Sequence, residues 1–77
     1  MNATNHKDLT TSVNLVDKAV TIIEDVAILE RESLEKMPEH LTESDAYMNM
    51  DETVSDLEDI QGDLEEIATR IFDVINK

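Results

Sequence analysis

Apolar residues recur along the first half of the chain at alternating steps of four and three, the spacing of a heptad repeat. This spacing predicts a helix, which we place at residues 9–36 after a flexible polar start over residues 1–8. Asp8 or Thr10 is the expected N-cap. We call this stripe the first seam of the helix. It comprises Leu9, Val13, Val16, Val20, Ile23, Ala27, Glu30, Leu34 and Met37.

A second apolar stripe lies beside the first on the same predicted helix, about 100° away around the helix axis. The two stripes together make a face that is too wide for a single neighbouring helix to cover. Ile28 lies apart from both, among polar residues. We call the second stripe the second seam. It comprises Leu15, Ala19, Ile22, Val26 and Leu29.

The connection between the two halves of the chain is short. Pro38 disfavours helical geometry at Met37, so the first helix must end before it. The run from Thr42 to Asp45 resembles a capping box, in which a threonine side chain caps the helix that follows it. A loop over residues 37–42 therefore joins two long helices, and a short loop makes them antiparallel neighbours.

The second predicted helix covers residues 43–76. A break near residues 48–51 is an alternative, because Asn49 and Glu52 form another cap signature. Gly62 is unusual in a helix interior and marks either a bend, a close backbone contact or a tolerated glycine. The first seam of this helix comprises Met50, Val54, Leu57, Gln61, Leu64, Ala68, Ile71 and Ile75. Its second seam comprises Leu57, Ile60, Leu64, Ile67, Ile71 and Val74.

The double seams predict an all-α protein: a long antiparallel helical hairpin that dimerises. A lone hairpin covers one seam per helix, whereas two hairpins related by a two-fold axis cover both and form a four-helix bundle. The seam residues then form the core and the dimer contacts. Glu30 and Gln61 interrupt the seams and would fix the register at some cost in stability. Alternatively, the open seam binds a helix of a different protein.

Composition agrees with a small helical protein that needs a partner. The chain has 77 residues with no cysteine, one glycine, one proline and two histidines. Disulfides and thiolate metal sites are therefore excluded, and a chain this short usually needs another source of stability. The polar start and the absence of long apolar runs lead us to expect a cytoplasmic protein without a membrane segment or a cofactor.

Charge is unevenly distributed between the two halves. Residues 1–38 carry seven acids and four bases, whereas residues 39–77 carry twelve acids and two bases. The net charge of −13 opposes direct binding to nucleic acid or to anionic membranes. If charge selects a partner, that partner is basic.

The acids of the second helix form a line. Five of them recur at steps of four and three, so they lie along one side of the helix over about 21 Å. Neighbouring carboxylates would be about 5–6 Å apart, close to the phosphate spacing of a nucleic-acid strand. No lysine or arginine occurs between Asp51 and Glu66. We call this line the acidic ridge. It comprises Glu52, Asp56, Asp59, Asp63 and Glu66.

Two interpretations of the acidic ridge follow from its chemistry. In the first, it is the solubilising face of a small scaffold, adaptor or inhibitor that binds a protein partner. In the second, it mimics a phosphate backbone and blocks a basic DNA- or RNA-binding protein, the logic of small acidic phage-type inhibitors. Like charges at these spacings destabilise a helix by about 0.2–0.5 kcal/mol per pair, a cost that an ordinary face reduces by including lysines.

An enzymatic interpretation rests on paired carboxylates. Glu32 and Glu35, followed by Asp56 and Asp59 or by Asp63 and Glu66, have a spacing similar to that of MazG-type NTP pyrophosphatases, and this resemblance implies magnesium-dependent hydrolysis. The second pair departs from the E-x-x-D pattern of that family in each version. Neither His6 nor His40 follows a glutamate at the spacing of a di-iron site. We therefore expect no catalytic residues and no metal.

Overall fold

The computed structural model describes all 77 residues as two helices that form a hairpin, without strands. Helix α1 covers Ala3–Glu35, a single 3₁₀ turn covers Glu39–Leu41, and helix α2 covers Asp45–Ile75. The hairpin is a rod of 60 × 14 × 13 Å. The predicted all-α hairpin is confirmed. Neither helix contains a stretch that is long and apolar enough to cross a membrane.

Helix α1 begins earlier than the sequence pattern predicts. Residues 3–8 are helical, and the N-cap is Asn2 instead of Asp8 or Thr10. The side chain of Asn2 accepts a hydrogen bond from the amide of Asn5 at 2.8 Å, which satisfies one of the free amides of the first turn. The prediction of a flexible start was therefore wrong, because a cap at the very beginning of the chain extends the helix over polar residues that carry no seam.

Helix α2 begins later than predicted, and it is continuous. The N-cap is Ser44, whose hydroxyl accepts a hydrogen bond from the amide of Tyr47 at 3.2 Å. The predicted cap, Thr42, instead follows the 3₁₀ turn and donates a hydrogen bond to the carbonyl oxygen of Glu39 at 2.8 Å. No break occurs near residues 48–51. A cap signature inside a helix that is already formed does not interrupt it, because the seam continues through it.

The core lies between the two first seams. Each of their positions is buried or half-buried, including the polar residues Glu30 and Gln61. Val54 is the most buried side chain, at 1% exposed. Only five residues of the chain are buried, and all of them are apolar first-seam residues. They are Val20, Ala27, Leu34, Val54 and Ala68.

Candidate functional site: an exposed apolar face

The second seams of the two helices lie on the same side of the hairpin. In both helices a second-seam residue directly precedes a first-seam residue: Ile22 precedes Ile23, and Ile60 precedes Gln61. The two helices are antiparallel and turn their first seams toward each other. Residues that directly precede a first-seam residue on either helix therefore point to the same side of the hairpin. The hairpin therefore combines two narrow stripes into one surface.

Contacts on the opposite side of the hairpin agree with this rule. Arg31 and Glu58 each directly follow a first-seam residue, and the Arg31 guanidinium donates a hydrogen bond to the Glu58 carboxylate. Asp17 and Phe72 also follow first-seam residues, and they line one shallow depression together with Val13. Residues that directly follow a first-seam residue thus meet on one side of the hairpin. Residues that directly precede a first-seam residue, such as Ile22 and Ile60, therefore lie on the opposite side.

The Arg31–Glu58 pair also shows which residues of the two helices are at the same height along the rod. Counting from it in opposite directions, with the same rise per residue, places Leu29 level with Ile60. By the same count Ile22 is level with Ile67, and Leu15 is level with Val74. The exposed aliphatic side chains therefore form three cross-helix pairs. Successive pairs are about 10 Å apart along the rod, because seven residues separate them on each helix.

We call this surface the apolar face. Most of its side chains are largely in contact with solvent: Leu15 and Leu29 are each 62% exposed, and Ile22 is 59% exposed. Ile67 and Val74 border a shallow groove on α2. Large contiguous apolar patches on a protein surface mark sites of interaction. The face comprises Leu15, Ala19, Ile22, Val26, Leu29, Ile60, Ile67 and Val74.

Three residues that the sequence assigned to both seams of the second helix belong to the hairpin core. Leu57, Leu64 and Ile71 are half-buried between α1 and α2. Their angular position allows either assignment on an isolated helix, and the direction in which α1 packs decides between them. Ile60, Ile67 and Val74 are consequently the α2 residues left on the outside.

Every residue of the acidic ridge is exposed. None of the five carboxylates contacts a base, because the single ion pair between side chains of the chain is Arg31–Glu58. The Glu58 carboxylate raises the pKa of Arg31, first through the hydrogen bond and then through charge attraction. Asp56 and Asp63 directly precede first-seam residues, so the ridge forms the outer edge of the apolar face on α2.

Acidic pairs of the MazG-like pattern do not assemble into a metal site. No group of three or more acidic, histidine or cysteine side chains is placed to hold a metal ion. Glu32, Glu35 and the acids of α2 are exposed. His6 is exposed near the start of α1, and His40 is exposed in the 3₁₀ turn, far from each other along the rod.

Three other residues lie outside the apolar face: Ile28 and Gly62, which the sequence singles out, and Phe72. Ile28 is 49% exposed on the polar side of α1, and Phe72 is 57% exposed beside Val13 and Asp17. Gly62 has open space around it, because a Cβ placed there would meet no atom within 4 Å. It is thus a tolerated glycine inside a continuous helix, without a close backbone contact.

Sequence reasoning missed the cross-helix ion pair and the charges that border the apolar face. Arg31 and Glu58 show no pairing signal, because 27 positions separate them and only the register of the hairpin brings them together. Lys18 and Asp25 flank the face on α1, and Arg70 flanks it on α2. The seven-residue spacing of Lys18 and Asp25 is visible in the sequence. Whether these charges lie beside the apolar face depends on which side of the hairpin they occupy.

Comparisons with known proteins give no relative for this arrangement: no family model, no curated protein and no solved structure matches the chain.

Proposed function

We propose that this chain is a small acidic interaction protein that pairs through its apolar face into a four-helix bundle. The bundle then acts as a scaffold, adaptor or inhibitor that binds a further protein. The observation that carries this proposal is the alignment of both second seams on one side of the hairpin. Eight apolar residues concentrated there, beside a core of only five buried residues, are typical of half of a bundle.

Burial energetics support this proposal. Covering a side chain such as Ile22 or Leu29 is worth about 1.5–3 kcal/mol when the burial is complete. The seven large members of the face, which are 42–62% exposed in the single hairpin, would each contribute a part of that amount. A hairpin that buries so little within itself gains much of its stability from such contacts.

A pair of matched substitutions tests the proposal. Ile22→Glu places a charge in the centre of the apolar face, whereas Ile28→Glu places the same charge on the polar side of the same helix. We expect Ile22→Glu to convert the protein to a single-chain species in sedimentation experiments, because burying an unpaired carboxylate is strongly unfavourable. Ile28→Glu should leave the assembly unchanged. Equal behaviour of the two variants would contradict the proposal.

A second candidate function concerns how the bundle recognises its partner. We propose as the alternative that the acidic ridge mimics a phosphate backbone and occupies a basic DNA- or RNA-binding protein. What favours it is that five exposed carboxylates in line lack any neighbouring base to balance them. A repulsive arrangement of this kind persists at a cost in helix stability.

The decoy function is tested on the outward members of the acidic ridge. The test variant combines three substitutions that remove charge but leave the apolar face unchanged: Glu52→Gln, Asp59→Asn and Glu66→Gln. A decoy requires that the bundle binds a nucleic-acid-binding protein of its host in competition with nucleic acid, and that the variant loses this competition. Binding should also weaken steeply as salt rises. Unchanged binding by the variant would exclude the ridge as the contact surface.

A further inference from the structure

We propose that a second copy of this chain covers the apolar face with its loop at the opposite end of the bundle. This inference rests on the pairing proposed above and adds its orientation. The two-fold axis runs perpendicular to the helices at the level of Ile22 and Ile67. Helix α1 then packs on the partner's α1, helix α2 packs on the partner's α2, and both inter-chain pairs are antiparallel.

The surface area of the hairpin is large enough for a second copy of the chain to cover part of it. Its accessible area is 5840 Å², whereas a compact monomer of 8.7 kDa has about 4,700 Å² by the usual scaling of area with mass. The excess of about 1,100 Å² is spread over the whole rod, and it is of the same order as the roughly 800 Å² that each partner buries in a stable interface of standard size. A second hairpin offers a face of the same length and width.

Apolar residues of the face are arranged symmetrically about this axis. Leu15 and Leu29 each lie seven residues from Ile22, so each leucine meets the other leucine of the partner. The same spacing places Ile60 and Val74 symmetrically on α2. A two-fold interface needs this self-complementarity, because residue i must suit residue j on both sides.

The charged residues that border the face are also arranged symmetrically, with opposite signs. Asp63 and Arg70 lie on either side of Ile67, and Lys18 and Asp25 lie on either side of the axis on α1. The two-fold therefore places Asp63 beside Arg70 of the partner subunit, and Lys18 beside Asp25 of the partner subunit, each twice. Within one chain neither pair is in contact, since the single ion pair lies elsewhere.

The other face-to-face orientation reverses these charge contacts. A two-fold axis parallel to the helices would put both loops at the same end and pack α2 on the partner's α1. At the heights set by the Arg31–Glu58 pair, Asp63 would then meet the partner's Asp25, and Arg70 would meet the partner's Lys18. Like charges replace opposite charges at all four contacts, so charge complementarity selects the orientation with opposite loops.

A distance between spin labels tests the orientation directly. The chain has no cysteine, so Glu35→Cys gives a single labelling site on the loop end of α1, away from the apolar face. Glu35 lies 13 residues from the axis, which predicts about 40–45 Å between the two labels. Loops at the same end would give about 20–25 Å, the width of two helices. That result would overturn the orientation but retain the pairing, whereas the absence of any inter-label distance would overturn the pairing itself.

Charge reversal provides an independent test. Arg70→Asp alone and Asp63→Arg alone should each weaken homodimer formation about tenfold, because like charges then meet at two contacts. The double variant should recover the original affinity, and an equal mixture of the two single variants should form mainly the heterodimer. Under the orientation with adjacent loops the single variants would instead dimerise more tightly, and that outcome, or no effect of any variant, would contradict the proposal.

Discussion

Arg31 of α1 and Glu58 of α2 form the single side-chain ion pair of the hairpin, on the side opposite to the apolar face. Both side chains are about half exposed, so the pair adds little to stability in water. The pair marks the register of the hairpin, that is, how far α1 is shifted along α2. From this register follow the three level aliphatic pairs and the symmetry of the charges around them.

Gly62→Ala should stabilise the protein by about 1 kcal/mol, because alanine is the better helix former and open space surrounds the new methyl group. Urea denaturation at a fixed protein concentration measures the change, and fixing the concentration is necessary if folding is coupled to pairing. A loss of stability would show that the Gly62 backbone is covered by another chain, and the side opposite to the apolar face would then be an interface.

Val54→Ala should destabilise the protein by about 2 kcal/mol, because Val54 is 1% exposed and its removal leaves a small cavity in the hairpin core. The same urea experiment measures this loss. Ile28→Val is the matched control: it also shortens an aliphatic side chain, but at an exposed position, and should change the stability by less than about 0.5 kcal/mol.

Gln61→Leu should raise the melting temperature, because Gln61 occupies a half-buried first-seam position, where its amide donates only a long hydrogen bond of 3.4 Å to Glu65. If Gln61 fixes the register, the variant should also form a mixture of assemblies in sedimentation experiments. A lower melting temperature would mean that Gln61 makes a polar contact across the bundle that leucine cannot replace.

Added salt should stabilise the protein. The chain carries a net charge of −13, and the acidic ridge lacks bases, so screening its repulsion favours the compact state. Thermal melts between about 10 mM and about 0.5 M sodium chloride should show a rising midpoint. The variant with Glu52→Gln, Asp59→Asn and Glu66→Gln should melt higher at low salt and respond less to salt. A midpoint that falls with salt would indicate that attractive ion pairs dominate instead.

The hairpin could be predicted from the sequence because its signal is local and strong. A four-three spacing sustained over nine positions identifies the first seam of α1, and Pro38 leaves one place for the turn. The ends of the helices were harder to predict from the sequence. Asn2 and Ser44 cap the helices through single hydrogen bonds, and nearby residues such as Thr42 have the same chemistry. Tertiary packing and the neighbouring turn decide which of these residues caps the helix.

The apolar face could be predicted only in part. Each helix showed that it had more apolar surface than one neighbour could cover. Whether the second seams of the two helices lie on the same side of the hairpin depends on the antiparallel direction and on the register of the helices. The sequence pattern of one helix alone does not give either of these. Leu57 and Leu64 illustrate this limit, since the sequence placed them on both seams and the packing of α1 assigns them to the core.

The mass of the unmodified chain in solution tests the central claim most directly. Sedimentation equilibrium at about 10 μM should give twice the mass of one 8.7 kDa chain, because closing the apolar face needs a second hairpin. Ile22→Glu should reduce this to the mass of one chain while Ile28→Glu does not. A stably folded single chain at this concentration would contradict the account.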